Sequence, residues 1–169
     1  MTDVAPGTGT AAPGLALESD SPEATEALGE ALAPALETGD LVVLSGPLGA
    51  GKTRFVAGLA RGMGAKGRVR SPSFTLINEY RAGERLLLHI DLYRIDAVDV
   101  DALGLEEALE RGVLVVEWGE KLPSSLRREA LAIAFGVTGE LQRTLTAGAS
   151  GATAAARLVA WRAAIARKQ

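Results

Sequence analysis

One glycine-rich stretch carries residues whose types and spacing suit phosphate chemistry. It fits the pattern G-x-x-x-x-G-K-[ST] and reads Gly46-Pro47-Leu48-Gly49-Ala50-Gly51-Lys52-Thr53. Glycines let successive backbone N–H groups surround phosphate oxygens. In this pattern Lys52 reaches the β- and γ-phosphates, and the Thr53 hydroxyl serves Mg²⁺. A glycine-rich turn could match by chance, but an apolar strand before it and a helical pattern after it favour a P-loop that binds a nucleotide with Mg²⁺.

Two carboxylates are candidates for the second part of this site. Asp91 ends the apolar run 86–90, and Glu117 ends the apolar run 113–116. An open α/β sheet binds its ligand at the carboxyl ends of its strands, and Mg²⁺ prefers oxygen ligands. Either acid can therefore serve the metal, although ordinary strand-end carboxylates have the same appearance in a sequence.

Three further features allow two interpretations each. The segment 71–75, Ser-Pro-Ser-Phe-Thr, resembles a nucleotide-sensing switch but is also typical of a plain loop entering a strand. His89, the single histidine, is more typical of a core position than of a catalyst. Trp118 either packs against a nucleotide or a partner, or belongs to the core.

Charge is distributed unevenly along the chain, whose net charge is −3. Residues 1–40 contain no basic residue, whereas residues 41–78 contain no acidic residue and six basic ones: Lys52, Arg54, Arg61, Lys66, Arg68 and Arg70. This basic block suits an anionic ligand. Its second half, residues 61–70, is either an edge that docks an acidic protein surface or a nucleic-acid backbone, or a solvated helix face.

The elements around these residues predict an α/β fold of the P-loop NTPase type. We expect a mostly parallel sheet with an antiparallel hairpin and with helices on both faces. Strands are predicted at 41–45, 73–80, 85–92, 113–116, 131–137 and 141–145, and helices at 21–37, 52–62, 103–111 and from 154 onward. Pro34 should kink the first helix or end it early. We expect a disordered leader (1–16), an ATPase domain (17–148) and an Ala-rich C-terminal helix (149–169).

Composition excludes several classes of protein. The chain has no cysteine, so disulfide frameworks, thiolate metal sites and cysteine nucleophiles are excluded. No basic n-region of a signal peptide precedes residue 20, and no apolar run has the length of a membrane span. We therefore expect a cytoplasmic protein without a membrane partner. The Asn-Lys-x-Asp run that would indicate a guanine-reading site is absent from the sequence, so the expected nucleotide is ATP.

Four motifs in this order and spacing resemble the TsaE family, also called YjeE. They are Leu48-Gly49-Ala50-Gly51-Lys52-Thr53, the run 71–80 (Ser-Pro-Ser-Phe-Thr-Leu-Ile-Asn-Glu-Tyr), His89-Ile90-Asp91-Leu92-Tyr93-Arg94 and Val116-Glu117-Trp118. The resemblance covers about residues 21–145. It implies the ATPase subunit of bacterial tRNA threonylcarbamoyladenosine biosynthesis, which works with TsaB and TsaD on tRNA.

The resemblance also implies roles for individual residues. Glu117 and Asp91 would be the two catalytic and metal-binding acids, with Thr53 as a further Mg²⁺ ligand and Glu117 the favoured direct one. The residues implied at the nucleotide are Thr25, Gly46, Leu48, Gly49, Ala50, Gly51, Lys52, Thr53, Ser71, Thr75, Trp118 and Arg143.

Three functions are compatible with these residues. The first is an ATPase that is slow alone and is stimulated within a complex. The second is a small-molecule P-loop kinase, which needs lid arginines, and for which Arg127-Arg128 is the one lid-like pair. The third is a nucleotide-binding switch that only docks. Turnover measured with and without partners separates the three.

Overall fold

The structure is a computed structural model that describes residues 14–72 and 76–169, without the side chains of residues 97, 98 and 102. Seven strands are present in the described part: β1 (Leu15–Ser19), β2 (Leu41–Ser45), β3 (Ile77–Ala82), β4 (Arg85–Asp91), β5 (Val113–Glu117), β6 (Ala130–Val137) and β7 (Arg143–Ala149). Its α-helices are α1 (Pro22–Leu32), α2 (Lys52–Met63), α3 (Leu105–Arg111) and α4 (Gly151–Arg167). Short 3-10 helices cover Ala33–Ala35, Ala97–Leu103 and Gly119–Lys121.

The strands form one sheet in the order β1-β7-β6-β2-β5-β4-β3. The four central strands, β6, β2, β5 and β4, are parallel to one another. Both sides of this centre are completed by antiparallel pairs: β3 with β4 as the predicted hairpin, and β7 with β6 and β1. The predicted α/β fold with a parallel centre is confirmed.

Helices cover both faces of the sheet, as predicted. Helices α1, α2 and α4 pack on one face, around Phe55, Leu32 and Trp161. Helix α3 and the 3-10 helix Ala97–Leu103 pack on the other face, with Leu105 and Val100 buried. The strand β2 lies at the centre with four of its five residues buried, which explains its almost wholly apolar sequence.

The N-terminal boundary differs from the sequence prediction. Residues 15 and 16, assigned to a disordered leader, belong to strand β1, whose Leu15 and Leu17 pack against the core. The strand forms because its backbone pairs with β7, Leu15 opposite Ala147. Composition alone could not reveal this pairing, because the partner is distant in the sequence.

Other boundaries shift for local reasons. Helix α1 ends at Leu32, and Pro34 lies in a 3-10 turn that follows it, so the proline ends the helix early. Strand β7 begins at Arg143 rather than at 141, since Thr138 N donates to Gln142 O (3.1 Å) and closes the preceding turn. It continues to Ala149, so the C-terminal helix begins at Gly151. Strand β3 begins at Ile77, and residues 73–75 of its predicted range lie outside the described residues.

The C-terminal helix α4 is part of the main core. Trp161 is fully buried, its indole Nε1 donates to Leu28 O of α1 (3.0 Å), and its ring meets that of Phe55 edge-on with centroids 5.9 Å apart. Arg157 pairs with Asp40 (2.7 Å).

No helix among the described residues is long and apolar enough to span a membrane.

Candidate functional site

The P-loop connects the central strand β2 to helix α2. The loop needs a backbone conformation that favours glycine, since Gly51 has φ 99° directly before the first helical residue, Lys52. A Cβ atom at Gly51 would meet Thr25 Cγ2 at 3.5 Å, an ordinary van der Waals distance, so the backbone conformation rather than crowding favours glycine here. This arrangement directs the N-terminus of a twelve-residue helix at the loop, and helix N-termini favour phosphate groups.

Alternation along the strands places the acids on the same sheet face as α2. In β5, Val113 and Val115 contribute to the core on the α2 side, and Glu117 follows them in the same alternation. Asp91 is paired directly with Glu117 in the ladder between β4 and β5. Both carboxylates therefore reach the end of the sheet where the P-loop begins, as an open parallel sheet requires.

A hydrogen bond joins the P-loop hydroxyl to one of these acids. Thr53 Oγ1 donates to Glu117 Oε1 at 2.8 Å, and the second oxygen, Oε2, lies 3.4 Å from His89 Nε2. Burial raises the pKa of Glu117, but the neighbouring His89, the Thr53 hydrogen bond and the Lys52 charge outweigh this effect and leave the pKa lowered. Glu117 is therefore a buried, ionised carboxylate.

Lys52 lies inside the loop that it follows. Its ammonium group donates to the carbonyl oxygens of Gly46 and Pro47 and lies 4.5 Å from the centroid of the Trp118 ring, within the range of a cation–π contact. Burial lowers the pKa of Lys52, and the charges of Glu117, Glu120 and Asp91 oppose this shift.

Trp118 takes this position because of an unusual backbone conformation. Its φ is 59°, in the left-handed region that non-glycine residues seldom adopt. Its ring packs against Tyr93, with centroids 5.1 Å apart, and against the core on the α3 side. Trp118 thus packs against the core and borders the P-loop, while its contact with a nucleotide or a partner stays a prediction.

Asp91 is tied to the segment after α2. Its Oδ2 accepts a hydrogen bond from Ser71 Oγ (3.0 Å), and its Oδ1 accepts one from the backbone N–H of Tyr93 (2.9 Å). Ser71, the first residue of the predicted switch segment, is thereby placed at the acids. Thr75, also predicted at the nucleotide, lies outside the described residues.

One cavity of about 360 Å³, called here the P-loop cavity, unites most of the predicted site. Its lining comprises Leu48, Gly49, Ala50, Gly51, Lys52, Thr53, Arg54, Ser71, Asp91, Glu117 and Trp118. All of these except Arg54 were predicted from the sequence. Gly46 is not in the lining, but its carbonyl oxygen holds Lys52.

A second cavity, of about 190 Å³, adjoins the first at Gly49 and Gly51. It contains the two remaining predicted residues, Thr25 and Arg143. Arg143 donates to Gly49 O (3.2 Å) and so ties the start of β7 to the P-loop. The Thr25 hydroxyl is hydrogen-bonded to Ser19 (2.7 Å).

Arg54 is a residue that the motif analysis missed. It lines both cavities, and its guanidinium pairs with Glu26 of α1 at 2.7 Å. The sequence position of Arg54 could have indicated this role. Arg54 directly follows Thr53, and both residues lie in the first turn of α2.

The donor set fits Mg²⁺ held together with a nucleotide. The Thr53 hydroxyl and the carboxylates of Glu117 and Asp91 are hard oxygen donors, which Mg²⁺ prefers, usually one or two carboxylates together with substrate phosphates. Among the described residues no cluster of three or more His, Cys, Asp or Glu side chains could hold a metal without such phosphates.

The fold and the P-loop cavity define an α/β protein of the P-loop NTPase type. Within that class, the family model "Threonylcarbamoyl adenosine biosynthesis protein TsaE" matches residues 19–145. The chain therefore belongs to the TsaE family, as the four motifs predicted.

Individual relatives agree with this assignment. The chain is 40% identical over 132 residues to the tRNA threonylcarbamoyladenosine biosynthesis protein TsaE of Bacillus subtilis, covering 78% of this chain and 83% of the relative. The protein of the same description from Treponema pallidum is 39% identical over 130 residues, 76% of this chain and 96% of the relative. The crystal structure of Bacillus subtilis YdiB superimposes with a TM-score of 0.73 at 33% identity and covers 95% of this chain and 99% of that one.

Proposed function

We propose that this protein binds ATP with Mg²⁺ in the P-loop cavity and hydrolyses it slowly alone and faster within a complex with TsaB and TsaD. This ATP cycle would serve the N6-threonylcarbamoyladenosine modification of tRNA, the process named in its relatives. The observation that carries the proposal is the 2.8 Å contact between Thr53 and Glu117. It brings the P-loop hydroxyl and an ionised carboxylate together, and an Mg²⁺ ion bound to the phosphates would need both as ligands.

Each side chain has a task in this reaction. The loop N–H groups and Lys52 bind the β- and γ-phosphates, and Thr53 and Glu117 would hold the metal, with Asp91 beside them. Bound Mg²⁺ supplies charge neutralisation at the β- and γ-oxygens. Asp91 and Glu117 can orient the water that attacks the γ-phosphorus, so that the bond to the leaving ADP oxygen breaks and inorganic phosphate forms. Both acids act from strand ends that the sheet holds fixed.

Slow turnover in isolation follows from the charges around the site. Arginine fingers raise turnover in P-loop proteins by roughly 10³ to 10⁵. Among the described residues, the arginines that line the P-loop cavity and the second cavity are Arg54 and Arg143. Arg54 is paired with Glu26, and Arg143 donates to backbone carbonyl oxygens. A partner would therefore supply the missing group or order the segment 71–75 against the γ-phosphate.

A surface groove beside the nucleotide site supports partner docking. It encloses about 610 Å³ between α1, α2 and residues 65–69, and Thr53 is among its lining residues. Its floor includes Ala57 and Val69. Arg68 is part of its lining, and Lys66 and Arg70 stand two residues before and after Arg68 in the chain. All three side chains are exposed, and none of them forms an ion pair with any residue that the structure describes.

This groove suits an acidic protein segment better than a bare phosphate backbone, because it combines positive charge with an apolar floor. Arg61, predicted as part of the docking edge, is instead paired with Glu26 (3.0 Å) and Glu30 (2.9 Å) of α1. The proposed docking edge is therefore limited to Lys66, Arg68 and Arg70.

ATP hydrolysis measured alone, with TsaB and TsaD, and with tRNA tests the proposal. We expect low activity alone and stimulation by the protein partners. Reversing Arg68 and Arg70 to Glu should leave ATP affinity intact and remove the stimulation, with an association that weakens as salt rises. Fast turnover that no partner changes would contradict the proposal, and tRNA stimulation without the proteins would transfer the docking edge to RNA.

Lys52→Ala tests the nucleotide site itself. It removes the P-loop cation aimed at the β- and γ-phosphates, so calorimetric titration should show loss of tight ATP binding. An unchanged affinity would refute the P-loop assignment.

The kinase alternative receives no support from the site, since the proposed lid pair Arg127 and Arg128 is absent from the lining of the P-loop cavity. Detection of a phosphorylated small-molecule product would nevertheless establish it.

A further inference from the structure

A buried histidine lies behind the metal-binding acid. The His89 side chain is fully buried in strand β4, and neither ring nitrogen has a hydrogen-bond partner among the described residues. Buried polar atoms are hydrogen-bonded in the great majority of cases. An imidazole in this position therefore requires an explanation that ordinary core packing does not give.

Among the described residues, Glu117 is the polar side chain that approaches the nitrogen atoms of His89. Its Nε2 lies 3.4 Å from Glu117 Oε2, slightly beyond the usual 2.7–3.2 Å of an N–H···O hydrogen bond. On another side its ring is tilted against the Tyr80 ring, with centroids 6.4 Å apart. The backbone ladder holds this geometry, because His89 is paired with Val115 and Asp91 with Glu117 in the β4–β5 register.

We propose that His89 is a positioning residue for Glu117. Its Nε2–H donates to Glu117 Oε2, while Thr53 donates to Oε1, so that the carboxylate is clamped between two donors. With its rotation fixed, the remaining lone pairs of Glu117 point toward the P-loop cavity. Partners of this kind behind metal ligands typically affect metal affinity or activity 10- to 100-fold.

This role requires one particular tautomer. A ring that donates to Glu117 Oε2 must carry a proton on Nε2, the nitrogen that faces this oxygen. The chain contains a single histidine, and its ring therefore gives one pair of nitrogen signals in ¹⁵N NMR spectra of the labelled full-length protein. We expect the pattern of the Nε2–H tautomer, and the Nδ1–H tautomer would overturn the proposal.

Substitutions test the consequence for the metal, which rests on the proposed function. His89→Leu removes the donor, and we expect the apparent Mg²⁺ affinity in the presence of ATP to fall about 10- to 100-fold. Nucleotide affinity measured in EDTA should stay unchanged. His89→Gln retains an N–H near the position of Nε2 and should restore most of the Mg²⁺ affinity. Ile90→Val, a buried change on the opposite sheet face, is the control for lost packing.

The outcomes are distinguishable. Equal Mg²⁺ affinity in His89→Leu and the wild-type protein would overturn the proposal. A nucleotide affinity that falls equally in EDTA and in Mg²⁺ would also overturn it, because such a loss indicates a general effect on the fold. If the wild-type protein shows no Mg²⁺-dependent nucleotide binding, the proposed function fails, whereas the tautomer measurement still decides the role of His89.

Discussion

Gly58 in α2 marks a close approach between the P-loop helix and α1. A Cβ atom built on Gly58 would lie 1.8 Å from Glu26 O and 2.6 Å from Glu26 C. Carbon and oxygen atoms rarely approach closer than about 3.3 Å, so Gly58→Ala would force the helices apart by about 1.5 Å. The obstacle is backbone, which cannot rotate away as a side chain can.

The size of the effect follows from two opposing contributions. Overpacking typically costs about 1–3 kcal/mol, occasionally more, and alanine recovers about 1 kcal/mol of helix propensity relative to glycine. Because the clash involves fixed atoms, we expect the high end of the first range, about 3 kcal/mol, and therefore a net loss of about 2 kcal/mol after the gain in helix propensity. For a chain of this length that corresponds to a Tm lower by roughly 4–8 °C.

The same displacement should affect the nucleotide site. Helix α1 carries Thr25, close to Gly51, and Glu26, the partner of Arg54. Moving α1 therefore disturbs the second cavity, and ATP affinity should fall in calorimetric titration below the Tm. Thermal unfolding followed by circular dichroism gives the stability change.

Gly148→Ala is the matched control. A Cβ on Gly148 would meet no atom within 4 Å, so we expect no loss of stability or a gain of up to about 1 kcal/mol from the unfolded state. A Tm of Gly58→Ala equal to or above that of the wild-type protein would refute the close approach of α1 and α2, and with it the reasoning that α1 is held against the P-loop helix.

Three further predictions follow from the site and the core. Glu117→Gln retains size but removes the charge, so Mg²⁺-dependent hydrolysis should fall sharply while the fold persists by circular dichroism; undiminished hydrolysis would assign the metal to Asp91 alone. Burial raises the pKa of Glu26, but hydrogen bonds from Arg61 and Arg54 leave it below 4.5. The stability from these pairs is therefore present above pH 4.5 and is lost as the pH falls through the lowered pKa. We expect urea unfolding at pH 7 to show Glu26→Gln less stable than wild type by about 1 kcal/mol, a small value because Arg54 and Arg61 are 57% and 52% exposed; a gap that persists well below pH 4 would contradict this. Trp161→Ala should cost about 3–5 kcal/mol in the same assay, and a loss under 1 kcal/mol would mean that α4 is not part of the core.

The parts of the fold that the sequence predicted well have local signals. Strand β2, the P-loop and α2 are contiguous, and each carries its own pattern: an apolar run, fixed glycine spacing, and apolar residues on one helical face. Asp91 and Glu117 could be placed together for the same reason, since both follow apolar runs and parallel strands end at one edge of a sheet.

Other features depend on pairings that no local pattern contains. Strand β1 consists of ordinary residues, and its structure arises from its pairing with β7. The contact between His89 and Glu117 requires the register of β4 against β5, which the sequence does not state. For this reason the sequence indicates a core residue at His89, whereas its ring nitrogens without hydrogen-bond partners among the described residues and its distance to Glu117 indicate another role.

The placement of β1 and α4 has a consequence for synthesis. The P-loop, both acids and three of the four central strands precede residue 120, whereas β6 follows it. Phe55 behind the P-loop is covered by Trp161, and β1 pairs with β7. The emerging chain therefore completes its nucleotide-binding motif long before the hydrophobic surface beneath that motif can close. Contacts between distant segments slow folding, so the apolar face of α2 stays exposed until β7 and α4 have been synthesised and have docked. A bound nucleotide or a chaperone would therefore have most effect on the yield of folded protein at that stage.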